Sequence, residues 1–342
     1  MPIPKINDNL PERLEEKLNV KHSTARSYAS SIRGLWRRIR KEPYDGTLDF
    51  LGSKAMVRHV SGITNLSARK NASSAAIAGL KTSGKHEKPL REYRELMMSA
   101  DADFQDFLKA GKKKYPFKDA PKEWDTIKKL HTKVARVVSV HGLWKKGEQV
   151  KYPEYRTLMA LAYLKWISVL PVRRLEYTDT RFISSAAFRA LGEEKKQYNW
   201  IVTGKQWTWE IYKYKTFGTF GHKSFPVPPG LRNTLRKMQP IAAAKNAKGF
   251  IFLNTKWGSL NRNLFSLFVK NVFKRYLNKS YTQNTIRAIK VSSVWAKPIK
   301  SLTVLQLGED MGHSLKTQLL HYRKNPTAKE ISDSGTLSRD VK

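Results

Sequence analysis

The sequence predicts a mainly helical α+β protein of two domains, with a small three-stranded antiparallel sheet in the second. Three observations carry this. Apolar residues recur at i, i+3 and i+4 through most of the chain, the helical period, and change to period two in one stretch that begins at Asn199. At 342 residues the chain exceeds what one compact core usually serves. A basic segment punctuated by Gly and Pro, Gly111-Lys112-Lys113-Lys114-Tyr115-Pro116, separates two helical patterns and is the best boundary. The expected division is 1–112, 113–326, and a polar, flexible tail over 327–342.

Each element follows from local pattern. Ser23 or Thr24 can cap a helix whose apolar stripe is Ala25, Tyr28, Ala29, Ile32, Leu35, Trp36 and Ile39, ended by Pro43 and a Tyr-Asp-Gly turn. A second helix covers Ser67 to Lys81, rich in small residues, and a third runs from Leu90 to Ala110. In the second domain Trp124–Val140 and Tyr155–Val169 have helical periodicity, and Pro171 stops the latter. Asn199–Val202, Trp207–Tyr212 and Ser224–Val227 read as the strands. Helices follow over Leu260–Leu277, from near Thr282, and across the segment that carries Tyr322.

Charge decides the class of partner. Lys and Arg number 65 against 28 acids, a net charge of +37 and an isoelectric point near 10.2. Apolar residues make up 40% of the chain, enough for a real core, so the charge belongs to a folded protein. An excess spread along the whole length points to a polyanion, most simply nucleic acid. Arg26, Arg33, Arg37 and Arg40 share one face of the first helix, and Arg69 and Lys70 open the second. With Lys112, Lys113 and Lys114 of the linker they form the candidate DNA-facing set, against the plain reading of a solvated surface.

Other classes find no support. No apolar run approaches the roughly 18 residues of a membrane span, and the N-terminus MPIPKINDNLPERLEEK lacks a signal-peptide core. The expected location is therefore inside the cell, in cytoplasm or nucleus, and not secreted. The absence of cysteine excludes disulfides, thiolate metal sites and a cysteine nucleophile. Eight histidines are scattered without ligand spacing, and neither a Walker A loop nor GxGxxG occurs. No metal, cofactor or nucleotide is expected.

The chemistry-bearing residues lie in a fixed order: Arg173 with Glu176, Lys215 in Tyr-Lys-Tyr-Lys-Thr, Asn284-Thr-Ile-Arg287, Gly312-His313-Ser314, and Tyr322. A helix that starts at Ser314 would carry Tyr322 about two and a half turns on. Its N-terminal end, with unpaired N–H groups, favours an anion beside His313. Together these pieces resemble the catalytic domain of the tyrosine recombinases, the phage integrase and Xer-type family. In that family an arginine precedes a glutamate, a lysine sits on a β-hairpin, and an HxxR helix, a GH(S) turn and a nucleophilic tyrosine follow. The match runs from Arg173 to Tyr322 and resembles the family's helical DNA-binding domain N-terminally only in type. Asn284 replaces the usual histidine, Ala288 follows Arg287 where a second histidine is common, and Leu-Pro-Val precedes Arg173 in place of Thr-Gly-Leu. These departures mark a divergent member.

The resemblance implies double-stranded DNA as partner, a tetramer on DNA, and cutting and rejoining through a 3′-phosphotyrosyl link without metal or ATP. It makes Tyr322 the nucleophile. Arg173 and Arg287 would be forked donors to the phosphate oxygens, and His313 a further donor or a base. Asn284 would be a neutral donor, Lys215 the acid for the leaving 5′ oxygen, and Glu176 a partner that orients an arginine. Lys205, Lys213 and Lys223 lie on the same expected sheet and compete with Lys215. Two other functions fit the composition: a type IB topoisomerase-like enzyme, and a non-catalytic basic DNA-binding protein derived from such enzymes.

Overall fold

The computed structural model describes residues 9–84, 87–109, 119–295 and 301–312, with Ser314 and Thr317. It is mostly helical with a small four-stranded mixed sheet, and it divides into two compact units, Met1–Lys112 and Lys113–Lys342. Among the described residues no helix is long and apolar enough to cross a membrane.

The first unit holds α1 (Leu10–Leu18), α2 (His22–Arg40), α3 (Lys54–Ser61), α4 (Leu66–Ser83) and α5 (Glu87–Lys109). The stripe on α2 buries Ala25, Ala29, Ile32, Leu35 and Trp36 and leaves its arginine face outward. Trp36 is the anchor: Phe50 meets it edge-to-face at 5.0 Å, and its indole N–H donates to Pro43 O at 2.9 Å. The small residues of α4 let neighbours approach closely. A Cβ on Gly79 would lie 2.4 Å from Leu51 Cδ1 and 3.2 Å from Ile32 Cδ1. Asn65 caps α4 by accepting from Ala68 N at 2.9 Å, and Tyr93 of α5 donates to Leu51 O at 2.9 Å.

The second unit is built around α7 (Tyr152–Val169), which is buried over most of its length from Tyr155 to Ile167, as a mainly apolar helix must be. α6 (Ala120–Val140), α10 (Pro229–Lys245), α11 (Arg262–Leu277), α12 (Gln283–Trp295) and α13 (Ser301–Met311) complete the helical shell. The short α8 (Ser185–Ala190) and α9 (Phe217–Phe220) lie in the sheet connections. The strands are β1 (Thr180–Ser184), β2 (Asn199–Thr203), β3 (Thr208–Ile211) and β4 (Lys223–Pro226), in that spatial order. Aromatic edges join the sheet to α7, with Trp166 and Trp209 at 4.8 Å and Tyr177 stacked on Trp209 at 5.4 Å.

The sheet corrects the expectation of three antiparallel strands. β2, β3 and β4 are antiparallel neighbours, but β1 adds a fourth strand parallel to β2, Thr180 opposite Asn199. A parallel neighbour needs a crossover, here through α8, in place of a tight turn. The signal that reveals a hairpin in sequence is therefore missing from β1.

Candidate phosphate-binding site

Pro171 ends α7, and the chain leaves in a tight loop whose Arg173 turns into the protein. Arg173 and Arg287 are both 0% exposed, an expensive state for a guanidinium unless its donors are used. Both reach the C-terminus of α13. Arg173 Nη1 donates to Asp310 O at 2.6 Å, and Arg287 Nη2 donates to Met311 O at 3.1 Å. Thr216, in the β3–β4 loop, completes the set by donating to Gly312 O at 3.1 Å. Three successive carbonyls of one turn are thus held by three distant segments.

Glycine is required where they meet. Gly312 has φ +69°, and an added Cβ would stand 3.2 Å from both Arg173 Nη1 and Thr216 Oγ1. Beyond it, Ser314 Oγ accepts from Thr317 N at 3.2 Å, the hydrogen bond of a helix N-cap. His313 and Tyr322 lie outside the described residues, as do Lys112, Lys113 and Lys114 and the segment 327–342.

The surroundings hold Arg173 rigidly. Its guanidinium lies over the Tyr214 ring at 4.5 Å, and Nη2 stands 3.8 Å from Glu176 Oε1. Its backbone N–H donates to Tyr177 Oη at 3.1 Å, and its carbonyl accepts from Gln283 Nε2 at 2.5 Å. Burial pushes the hydroxyls of Tyr177 and Tyr214 above the ordinary tyrosine value. Among the described residues, two donor atoms of Arg173, Nε and Nη2, have no hydrogen-bond partner, and neither has Glu176 Oε2. A buried guanidinium with donors to spare can donate to an oxyanion that reaches it.

Four residues that the sequence did not mark as site residues build this arrangement. Gln283 stands one turn before Arg287 on α12, so the helix that supplies one arginine also clamps the backbone of the other. It is further tied to Tyr163 of α7 through Oη. Asn199, 0% exposed, donates to Glu176 O at 2.8 Å and accepts from Tyr212 N and Lys213 N, pinning the loop that carries Thr216. Tyr177 and Thr216 are the others. Gln283, Asn199 and Tyr177 are buried and Thr216 is half-buried, but Gln283, Tyr177 and Thr216 lie in polar stretches of the sequence, so no local signal marks them.

The remaining expected residues are placed unequally. Lys215 is exposed, between Tyr214, which faces Arg173, and Thr216, which holds Gly312. Of its competitors, Lys213 pairs with Asp179 at 3.3 Å, Lys223 stands 3.8 Å from Glu309, and Lys205 is exposed in the β2–β3 turn. Asn284 is exposed, whereas its neighbour Gln283 is buried. In the first unit Arg26, Arg37 and Arg40 are exposed, and Arg33 is half-buried. Arg69 donates to Ile63 O at 2.8 Å and Lys70 pairs with Asp101, so neither is a free surface cation. Arg38, unmarked in sequence, is exposed beside Arg37. Among the described residues no group of three His, Cys, Asp or Glu is placed to hold a metal.

No protein-family model matches this chain, and no curated protein matches it.

Proposed function

We propose that this protein is a DNA breaking-and-rejoining enzyme of the tyrosine-recombinase type, acting through a 3′-phosphotyrosyl intermediate. The observation that carries the reading is the convergence of Arg173 and Arg287 on the turn 310–312. The two lie far apart in sequence, and both are buried within reach of one turn that leads directly into His313 and the Tyr322 segment. A scissile phosphate beside that turn would meet two forked donors in a low-dielectric setting, where they stabilise developing charge most strongly.

In the proposed step Tyr322 Oη attacks phosphorus and the bond to the 5′ oxygen breaks. The phenol proton passes to His313, and Lys215 protonates the departing oxygen. The new phosphotyrosyl bond keeps the energy of the old one, so rejoining needs no nucleotide. The first unit, with the exposed face of α2, would hold the duplex, and four copies would assemble on DNA. The protein would act wherever its target DNA lies, in cytoplasm or nucleus.

One observation favours a second reading. In the structure the arginines donate to main-chain carbonyls, which by itself would suit a helix-capping role in a non-catalytic DNA-binding protein. Covalent trapping separates the two. Incubated with a library of nicked duplexes and denatured, the wild type should yield a protein–DNA adduct that Tyr322→Phe does not, with equal DNA binding by both. No adduct from the wild type supports the binding protein instead. Strand transfer between two duplexes, against relaxation of a supercoiled plasmid alone, distinguishes a recombinase from a topoisomerase-like enzyme.

A further inference from the structure

A cleft of about 220 Å³ opens between the first half of α7 and the last turns of α11. Three cations line it: Arg156 from α7, with Lys274 and Arg275 from α11. No carboxylate lines it, and none of the three cations is in an ion pair among the described residues. Like charges gathered around one cavity repel each other, a cost that solvent screens in part and that a bound anion would relieve. The neutral lining supplies a donor of matching chemistry, the amide of Asn271.

Tyr276 gives an independent sign. Its side chain is 8% exposed, and its hydroxyl, closed off from solvent, has no hydrogen-bond partner among the described residues, a cost that an acceptor bound in the cleft would remove if the ring turns toward it. The ring is held in place. Arg275 lies over it at 5.5 Å, and Lys133 Nζ donates to the Tyr276 carbonyl at 3.1 Å. We infer that this cleft is an anion site that takes a single phosphate group. It is separate from the arginine pair: Arg156 and the end of α7 before Arg173 are about 20 Å apart along the helix, at 1.5 Å per residue. One phosphate cannot serve both, and the inference holds whether or not the protein cuts DNA.

The test uses the full chain and inorganic phosphate, with chloride at equal ionic strength as control. Phosphate that binds only the folded state should raise the wild-type Tm by a few degrees at saturation. The combined variant Arg156→Gln, Lys274→Gln, Arg275→Gln should bind phosphate at least tenfold more weakly, and Tyr276→Phe severalfold more weakly. Whatever the three cations contribute at the end of α11 is present with and without phosphate. Only the phosphate-dependent part is therefore read. Any contribution from Arg173 and Arg287 survives in the combined variant. No phosphate-dependent rise in the wild type, or a full rise in the combined variant, overturns the site.

A second arm identifies the source of the phosphate from the salt dependence of duplex DNA binding. A single nucleic-acid phosphate in the cleft predicts that the slope falls by about 0.9 in the combined variant. An unchanged slope, with phosphate stabilisation lost, assigns the site to small phosphate compounds. A fall of nearly three times that amount means three independent surface charges and contradicts a single site.

Discussion

The arginines of α2 and the pair Arg173 and Arg287 are the same chemical group put to opposite uses. On α2, Arg26, Arg37, Arg38 and Arg40 are exposed to solvent, with only local contacts, Arg37 to the Arg33 carbonyl and Arg40 over the Trp36 ring. In the second unit each guanidinium is sealed from water and fixed by a named carbonyl. Exposed cations attract a polyanion in many registers at little cost to the fold. Buried ones are costly to desolvate and specify one geometry, so their removal should be felt in stability and in chemistry together. The difference suggests a division of labour, with affinity from the helix face and transition-state contact from the pair.

The sharpest way to break that comparison is Arg173→Ala. It leaves Glu176 buried without its cation and Asp310 O without its donor. We expect a loss of about 3–5 kcal/mol in urea unfolding, the cost of splitting a buried pair. A loss near zero would put Arg173 in the class of the α2 arginines. Gln283→Ala comes next, at about 1–3 kcal/mol, because a buried carbonyl and the Tyr163 hydroxyl lose their partner. Its neighbour Asn284 is exposed, and Asn284→Ala should change stability by no more than about 0.5 kcal/mol. If cleavage falls further in Asn284→Ala than in Gln283→Ala, the resemblance to the HxxR motif outranks the geometry.

Gly312→Ala should cost about 1–2 kcal/mol for the left-handed backbone, with additional displacement of Arg173 from Asp310 O. Thermal unfolding reads the first effect, and covalent trapping reads the second. The smallest stability effect belongs to the α2 face. Replacing Arg26, Arg37 and Arg40 with Gln should alter stability by less than about 0.5 kcal/mol each. The salt slope of DNA binding should fall by about 0.9 for each phosphate contact removed. An unaltered slope would take α2 out of the DNA interface.

How far the sequence foretold this depends on what kind of signal each part left. Helices with an apolar stripe were legible: α2, α4, α6, α7 and α11 lie where periodicity places them, with ends shifted by a few residues. α2 starts before Ser23, with Lys21 as its N-cap, because the backbone extends the turn without a side-chain cap. α1 and α3 span only about two turns each, too short for periodicity alone to decide, and α10 carries Pro240 within it. β1 pairs through a crossover and leaves no turn signature. Arg173, Glu176, Arg287 and Gly312 were marked by motif, whereas Gln283, Asn199, Tyr177 and Thr216 act through contacts that arise only once distant segments meet. Lys70 shows the converse: a lysine at a helix start looked free but is paired to Asp101 on the next helix.

The central claim is that the buried arginines are arranged for a phosphate and do more than cap α13. Arg173→Lys tests it most directly, because lysine keeps the charge and can still reach one carbonyl but cannot present a fork. Covalent adduct on nicked duplex DNA and urea unfolding would be measured on the same preparation, with the adduct normalised to folded protein. The account predicts adduct formation slowed on the order of a hundred- to a thousandfold, with the protein still folded in buffer. Adduct formed at the wild-type rate by Arg173→Lys, or no adduct from the wild type itself, would contradict it.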